Sequence, residues 1–282
     1  MSGTALIDAD ILLHTFTNAA TRSFEWGTTG RNTGAEDKQT VVMDERAARQ
    51  RVDSLIKGIK RATDCGRSLL VLSDLRENWR KDLMPTYKLS RKAKKKSAGF
   101  LRLREYMEET YACALEPRLE ADDVLGLYMT SPATLPGRKV CCSLDKDLLT
   151  IPGEHYQWKP TKAAGPRAVG KTFVVGEAEA THRFYVQVLM GDSVDGYPGI
   201  PKCGIKTAEK ILDGITDEQA LWDACVKAYE AKGLKEVDAL DTARVARILR
   251  KGDYSRTEGV TLWCPPHARD LSIGFDLGGP VR

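Results

Sequence analysis

Apolar and polar positions along this chain fall into blocks that read as strand, helix, strand. Three short apolar runs each break off at an aspartate: ALID at Asp8, SLLVLSD at Asp74, and KVCCSLDKD at Asp145 and Asp147. Runs this short and β-prone are predicted to be buried strands. Between them, residues about 44–63 and 100–112 are periodic and charged on one face, and about 120–130 (EADDVLGLYMT) also reads as helix. Strand–helix alternation predicts an α/β fold: a mainly parallel sheet flanked by helices. Open sheets of this kind bind ligands outside the carboxyl ends of their strands. The acid-terminated strands are therefore expected to deliver carboxylates to one crevice.

The remaining blocks differ. Residues 21–40 are polar and glycine-rich and are predicted to be a loop. Residues 76–99 are rich in basic side chains. From about 181 the pattern is helical: THRFYVQVLMGD, a glycine- and proline-rich turn, IKTAEKILDG, then helices over about 216–231 and 240–251. After Pro265 the pattern fades. No repeat or low-complexity tract stands out.

Bulk properties narrow the class. A chain of 282 residues suits one large domain, or a core with a smaller appended one. No apolar run approaches the roughly 20 residues that span a bilayer, and MSGTALIDADILLH lacks a signal peptide's basic start and cleavage site. The expected location is cytoplasmic. The seven cysteines form no CxxC pair, and neighbouring Cys141 and Cys142 in a strand point to opposite faces. Reduced thiols are expected. Net charge is only +4. Its distribution says more, because many carboxylates fall into a few motifs and leave a basic remainder. An acidic pit in a basic body is what a metal-using nuclease needs.

Hydrolysing an anionic phosphodiester is helped by two divalent cations, which activate water and stabilise charge at phosphorus. Magnesium and manganese prefer carboxylate oxygen and water, and the four histidines here form no ligand pattern. Glu120 and Asp123 share a helix face, with Asp122 beside them. Asp145 and Asp147 alternate, and would point to one side if the backbone there is extended. GDSVDGYPG places Asp192 and Asp195 before a turn. Each group also has a plain reading: helix-start acids that suit the dipole, a polar loop after a strand, or turn chemistry. The same holds for Asp8 and Asp10 at a strand end. Their joint occurrence favours a metal site, since like charges gathered this closely repel unless cations neutralise them.

The basic stretch WRKDLMPTYKLSRKAKKK interleaves cations with Trp79 and Tyr87, which suits phosphates and exposed bases; a solvated basic face is the alternative. PGIPKCGIKTAEKI reads as helix–turn–helix. The new helix's N–H groups would face a phosphate, with Lys202, Lys206 and Lys210 adding charge. An ordinary αα-hairpin is the alternative.

In this order the motifs ID–D, SD…R…YK…R, EADD, SLDKD and GDSVDGYPGIPKCGIKTA resemble the flap endonuclease (structure-specific 5′-nuclease) family. They look closest to the stand-alone 5′→3′ exonucleases of T-seven-like bacteriophages, over roughly residues 4–263. The resemblance implies a PIN-like core over 1–180 with a helical arch about 76–100, a helical DNA-binding region over 181–264 with a helix–turn–helix, and a tail over 265–282. It places Asp8, Asp74, Glu120, Asp122, Asp123, Asp145, Asp147, Asp192 and Asp195 as ligands of two Mg²⁺ or Mn²⁺ ions, with Asp122, Asp123 and Asp145 nearest the metals. Arg80 and Lys81 would meet the scissile phosphate. Tyr87, Lys88 and Arg91 match the family's YK-x-x-R, and with Lys94 and Lys95 would contact the strand. Gly199, Lys202, Gly204, Lys206 and Thr207 would grip duplex backbone, with a potassium ion as a further implied partner.

The implied activity is a monomeric 5′→3′ exonuclease with flap endonuclease character, acting on double-stranded DNA with 5′ ends or flaps. RNA/DNA hybrids are a further implied substrate, and phage replication in an infected bacterial cytoplasm the implied setting. Asp10 stands where many relatives have Asn, Leu75 where Gly is common, and Lys202–Cys203 where Gly-Ile is usual. A PIN-type endoribonuclease and a non-catalytic DNA-binding scaffold are the competing readings.

Overall fold

The computed structural model describes residues 3–25, 39–91, 96, 98–159 and 170–269. Lys94 and Lys95 therefore lie outside the described residues, as do 26–38 of the predicted loop, the middle of the predicted arch, and the tail beyond 269.

The chain opens with β1 (Gly3–Asp8) and α1 (Ala9–Ala20). Next come β2 (Thr21–Glu25), β3 (Gln39–Met43), α2 (Glu45–Ala62) and β4 (Cys65–Val71). Short α3 (Arg80–Leu83) precedes α4 (Ala98–Thr110), β5 (Cys113–Ala114), α5 (Ala121–Thr130) and β6 (Lys139–Cys142). β7 (Gly153–Tyr156) and β8 (Thr172–Val175) complete the main sheet. The helical part follows as α6 (Glu177–Met190), the paired β9 (Gly191–Asp192) and β10 (Tyr197–Pro198), α7 (Ile205–Leu212), α8 (Glu218–Glu230) and α9 (Glu236–Ala246). A small hairpin of β11 (Tyr254–Ser255) and β12 (Gly259–Val260), then α10 (Pro266–Arg269), close the described chain.

The six-stranded sheet has the order β5-β4-β1-β6-β7-β8. All its pairs are parallel except β7–β8. β1 is central and buried along its whole length, as a strand covered on both faces must be. One face packs under α1, α2 and α4, where Ile7, Leu70, Val140 and Cys142 join Leu13, Leu55 and Leu103. The other face carries Leu6, Val71 and Cys141 against Val124 and Leu125 of α5 and Ile248 and Leu249. Cys141 and Cys142 thus enter opposite layers. The cysteines are all free. A third cluster, built around Tyr185, Leu189, Trp222 and Tyr229, holds α6 to α9 together. Among the described residues no helix is long and apolar enough to cross a membrane.

Two local expectations need correction. Thr21–Glu25 and Gln39–Met43 pair as an antiparallel hairpin rather than forming the ends of a loop. The last long helix begins at Glu236, where the carboxylate of Asp238 accepts from Lys235 N–H, and it ends at Ala246 rather than running over 240–251.

Candidate active site at the sheet's carboxyl edge

The central strand sets the site. Asp8 is its last residue and is 2% exposed. Its carboxylate accepts from Ile11 N–H at 3.3 Å and from the Ser143 hydroxyl at 2.8 Å. Ser143, just past β6, also accepts from Asp145 N–H at 2.9 Å, and Asp145 in turn accepts from Asp147 N–H at 2.9 Å. Strand ends β1 and β6 are thereby tied through one hydroxyl. Burial, then the nearby Asp10 and Asp145 charges, push Asp8 up to about 7.

The other acids join the same field. Asp122, in the first turn of α5, is pushed well above the usual range by burial and by Asp8 and Asp145. Asp147 rises to about 6 through burial and Asp145, with Asp192 and Asp195 contributing. Asp192 accepts from Val194 and Asp195 N–H at 2.7 and 3.0 Å, so it organises its own turn as well as facing the site. That turn needs its glycines. Gly191 has φ +63°, and a Cβ there would lie 2.1 Å from Gly199 N. Asp8, Asp10, Glu120, Asp122, Asp145, Asp147, Asp192 and Asp195 form a series in which each carboxylate lies within electrostatic reach of at least one other.

A lysine stands inside this field. Lys88 Nζ lies 2.5 Å from Glu120 Oε1 and 3.4 Å from Asp195 Oδ2. Tyr87 donates its hydroxyl to Glu120 Oε2 at 2.8 Å. Burial would raise the Glu120 carboxyl, but Lys88 and Arg80 outweigh it and hold it down to about 2. Glu120 makes no side-chain cap on α5; the Ser73 hydroxyl accepts from Ala121 N–H instead. Glu120 thus stands at the helix start, while its carboxylate is spent on Lys88, Tyr87 and Arg80.

Three sequence expectations do not match their positions. Arg80 was expected at the scissile phosphate, yet it is 3% exposed. Its guanidinium grips both oxygens of Asp123 at 2.6 and 2.7 Å and donates to the carbonyls of Val245 and Arg247, each at 2.8 Å. It thus serves the open carbonyl end of α9, where a cation is favourable. Asp123 was expected among the acids nearest the metals. It is fully buried, and Trp79 Nε1 and Leu249 N–H also donate to it. One residue along a helix turns the side chain by about 100°, which carries Asp123 away from Asp8 while Asp122 faces it. Asp74 accepts from Arg76 and Arg118 N–H, each at 2.8 Å. Burial raises its carboxyl, but those N–H groups outweigh it and hold it low. One oxygen serves its own loop and the other the connection between β5 and α5. Lys81 is half-buried on α3.

In the α6–α7 connection, Gly199 backs directly onto Met190 and Gly191, so its work is close packing. Lys202, Gly204, Lys206 and Thr207 are exposed. Gly204 precedes the first turn of α7 and has open space where a Cβ would stand. Lys202 adopts φ +61°, so a lysine holds the left-handed position where glycine is usual.

As the side chains stand, no three His, Cys, Asp or Glu among the described residues converge on one ion-binding point. The site is a lined basin rather than a closed cage. Its donors are nonetheless of the right kind for hard divalent ions: carboxylate oxygens, with Asp8, Asp122 and Asp147 already resisting ionisation together. Sequence reasoning named Lys88 only as a strand contact and missed Ser143. The tyrosine–lysine pair leading into a basic stretch was the available signal for the first; nothing local flagged the second.

A mainly parallel sheet flanked by helices, with carboxylates at its carboxyl edge and a lysine reaching into them, defines an α/β fold of the PIN-like class. No family model matches the chain. The exonuclease of Escherichia phage T7 is 32% identical over 259 residues, covering 79% of this chain and 83% of that protein. A T5 5′-exonuclease structure with bound divalent zinc ions superposes with a TM-score of 0.61 at 13% identity, over 86% of this chain and 89% of the other. A T5 flap endonuclease solved with DNA and metal ions gives 0.58 at 12% identity, over 86% and 88%. The chain belongs to the flap endonuclease, or structure-specific 5′-nuclease, family.

Proposed function

We propose that this protein is a metal-dependent 5′→3′ exonuclease with flap endonuclease character that hydrolyses DNA phosphodiesters to 5′-phosphorylated products. One observation carries the reading most directly: Ser143 and the backbone tie Asp8, Asp145 and Asp147 together at the ends of β1 and β6, Asp122 at the start of α5 joins their charge, and Lys88 reaches the adjoining Glu120 and Asp195.

Asp8, Asp122 and Asp145 would hold one divalent ion, and Asp145, Asp147, Asp192 and Asp195 a second. Mg²⁺ is the physiological choice, with Mn²⁺ able to replace it. When bound, the ions supply a nucleophile at neutral pH and neutralise charge at phosphorus. The chain's own residues do the rest. Lys88 presents a cation to the scissile phosphate, the role expected of Arg80 and Lys81. Glu120 and Tyr87 fix the Lys88 ammonium in direction. Asp74 and Asp123 act behind the basin: Asp123 with Arg80 fastens α5 to the end of α9, and Asp74 closes the loop after β4. Ser143 holds Asp8 and Asp145 in register.

Duplex DNA would lie across the exposed start of α7, with Lys202, Lys206 and Thr207 on its phosphates and Gly204 admitting a close approach. The helix–turn–helix reading rests on that geometry, and potassium at the same turn is part of it. Tyr87, Lys88 and Arg91 would meet the 5′ strand beneath the arch. Domain limits near 180 and 264 follow this division of labour. RNA in a hybrid is included as substrate because contacts to phosphate do not read the base. The protein would act as a monomer in the cytoplasm of a phage-infected bacterial cell. The T7 and T5 proteins, described as an exonuclease and as a metal-bound 5′-nuclease with DNA, support the substrate and the ions.

The test is a duplex labelled at its 5′ end. Short labelled products in Mg²⁺, and none after chelation, are expected. A ladder growing only from the 3′ end would reverse the polarity, and cleavage in chelator would remove the metals from the account.

A further inference from the structure

Three consecutive residues at the root of the arch meet the carboxylate-bearing turn. Thr86 donates its hydroxyl to Gly196 O at 3.2 Å. The Tyr87 and Tyr197 rings stack, with centroids 6.3 Å apart and planes at 25°. Lys88 N–H donates to Asp195 O at 2.6 Å, while its ammonium reaches Asp195 Oδ2. The backbone is unusual on both sides of this seam. Lys88 has φ +51° and Gly196 φ +80°. A left-handed non-glycine residue persists only where its surroundings fix it. Gly196 is also denied a side chain by proximity: a Cβ there would lie 2.6 Å from Thr86 O.

Resting on the function proposed above, we infer that Gly196 and Thr86 are positioning residues, clasping the arch root to the 192–197 turn so that the Lys88 ammonium stays beside Glu120. Cation and carboxylates then shift as one unit, although they lie far apart in sequence. A local turn in the arch root, with Leu89 N–H donating to Thr86 O at 3.1 Å, shapes the same segment. Gly196 N–H donates to Asp192 O at 2.8 Å, which anchors the opposite side of the clasp to a carboxylate residue.

The test uses the full chain with Gly196→Ala, Lys88→Ala and their combination. Hydrogen exchange is read at the Lys88 amide, and single-turnover cleavage of duplex DNA is read in Mg²⁺. Gly196→Ala is expected to lose protection at Lys88 and to slow cleavage about 10²-fold, the cost of a misplacement near 1 Å, with KM for duplex unchanged. In the Lys88→Ala background it is expected to add no further loss. Thr86→Val should show a smaller loss of the same kind, rescued by Thr86→Ser, and it serves if Gly196→Ala does not fold. Retained protection at Lys88 in both Gly196→Ala and Thr86→Val overturns the proposal, as do rate losses that multiply or a Lys88→Ala enzyme of wild-type speed. Cleavage that persists in chelator would instead sink the metal mechanism, leaving the exchange result intact.

Discussion

Arg80 and Lys88 lie on one short basic stretch, yet their surroundings give them different work. Arg80 is sealed against Asp123 and two carbonyls and touches the basin only at Glu120, 3.1 Å away, whereas Lys88 reaches both Glu120 and Asp195. Arg80→Lys cannot reproduce the bidentate grip. It is expected to destabilise the fold by about 3 kcal/mol, at the lower end for breaking a buried pair, as read by urea unfolding. Lys88→Ala is expected to act mainly on rate. It should slow the chemical step by about 10²–10³-fold, typical of losing one preorganised stabilising group, with a smaller drop in urea stability than Arg80→Lys because Tyr87 and Arg80 still serve Glu120. The acids carry a pH prediction as well. Burial and mutual charge raise Asp8 from its ordinary 3.8 to about 7 and Asp147 to about 6. A raised carboxyl favours the folded state while protonated, so metal-free stability should fall as pH rises from about 4 through 7. Divalent ions need the ionised forms and release protons on binding. The rise in Tm on adding Mg²⁺ should therefore be larger at pH 8 than at pH 5.5; an equal rise at both would contradict the charge coupling.

At the scale of elements, the sequence made the strand ends readable because each apolar run stops at an acid, and a buried parallel strand tolerates charge only at its end. Asp8 and Asp145 could be placed from that alone. The helix start was harder. Asp122 and Asp123 are neighbours of one type, and only the packing of α9 against α3 decides which one faces the basin. Asp74 follows the same strand-end rule, yet its loop turns it onto Arg118 and Arg76 N–H, a long-range arrangement no local pattern encodes. The β2–β3 hairpin hid in a polar, glycine-rich stretch, because a pair of strands lacking alternation carries no periodic signal. Lys202 departs from glycine in a left-handed position, and its exposed ammonium instead adds charge at the start of α7. Replacing Lys202 and Lys206 with alanine should weaken duplex binding and lower the slope of log affinity against log salt by about 2. An unchanged slope would move the duplex off this turn.

For the whole molecule, the sheet gathers carboxylates at one edge while α6 to α9 build a separate apolar cluster beside it. Arg80 and Asp123 cross that seam, and so does the Lys88 contact to Asp195. A scaffold whose acids only capped helices would not need this convergence, and the Glu120 side chain makes no cap. A PIN-type endoribonuclease would share the acidic edge but not the exposed α6–α7 turn. These carboxylates are proposed to serve divalent ions in 5′-end cleavage, and Asp145 is their shared member: its N–H donates to the Ser143 hydroxyl and its carboxylate accepts from Asp147 N–H. The decisive measurement is the single-turnover rate of Asp145→Asn against wild type on 5′-labelled duplex in Mg²⁺. A loss of at least about 10³-fold with folding intact is expected, since the change removes the charge by which a hard cation would be held. An Asp145→Asn protein that cuts as fast as wild type would contradict it.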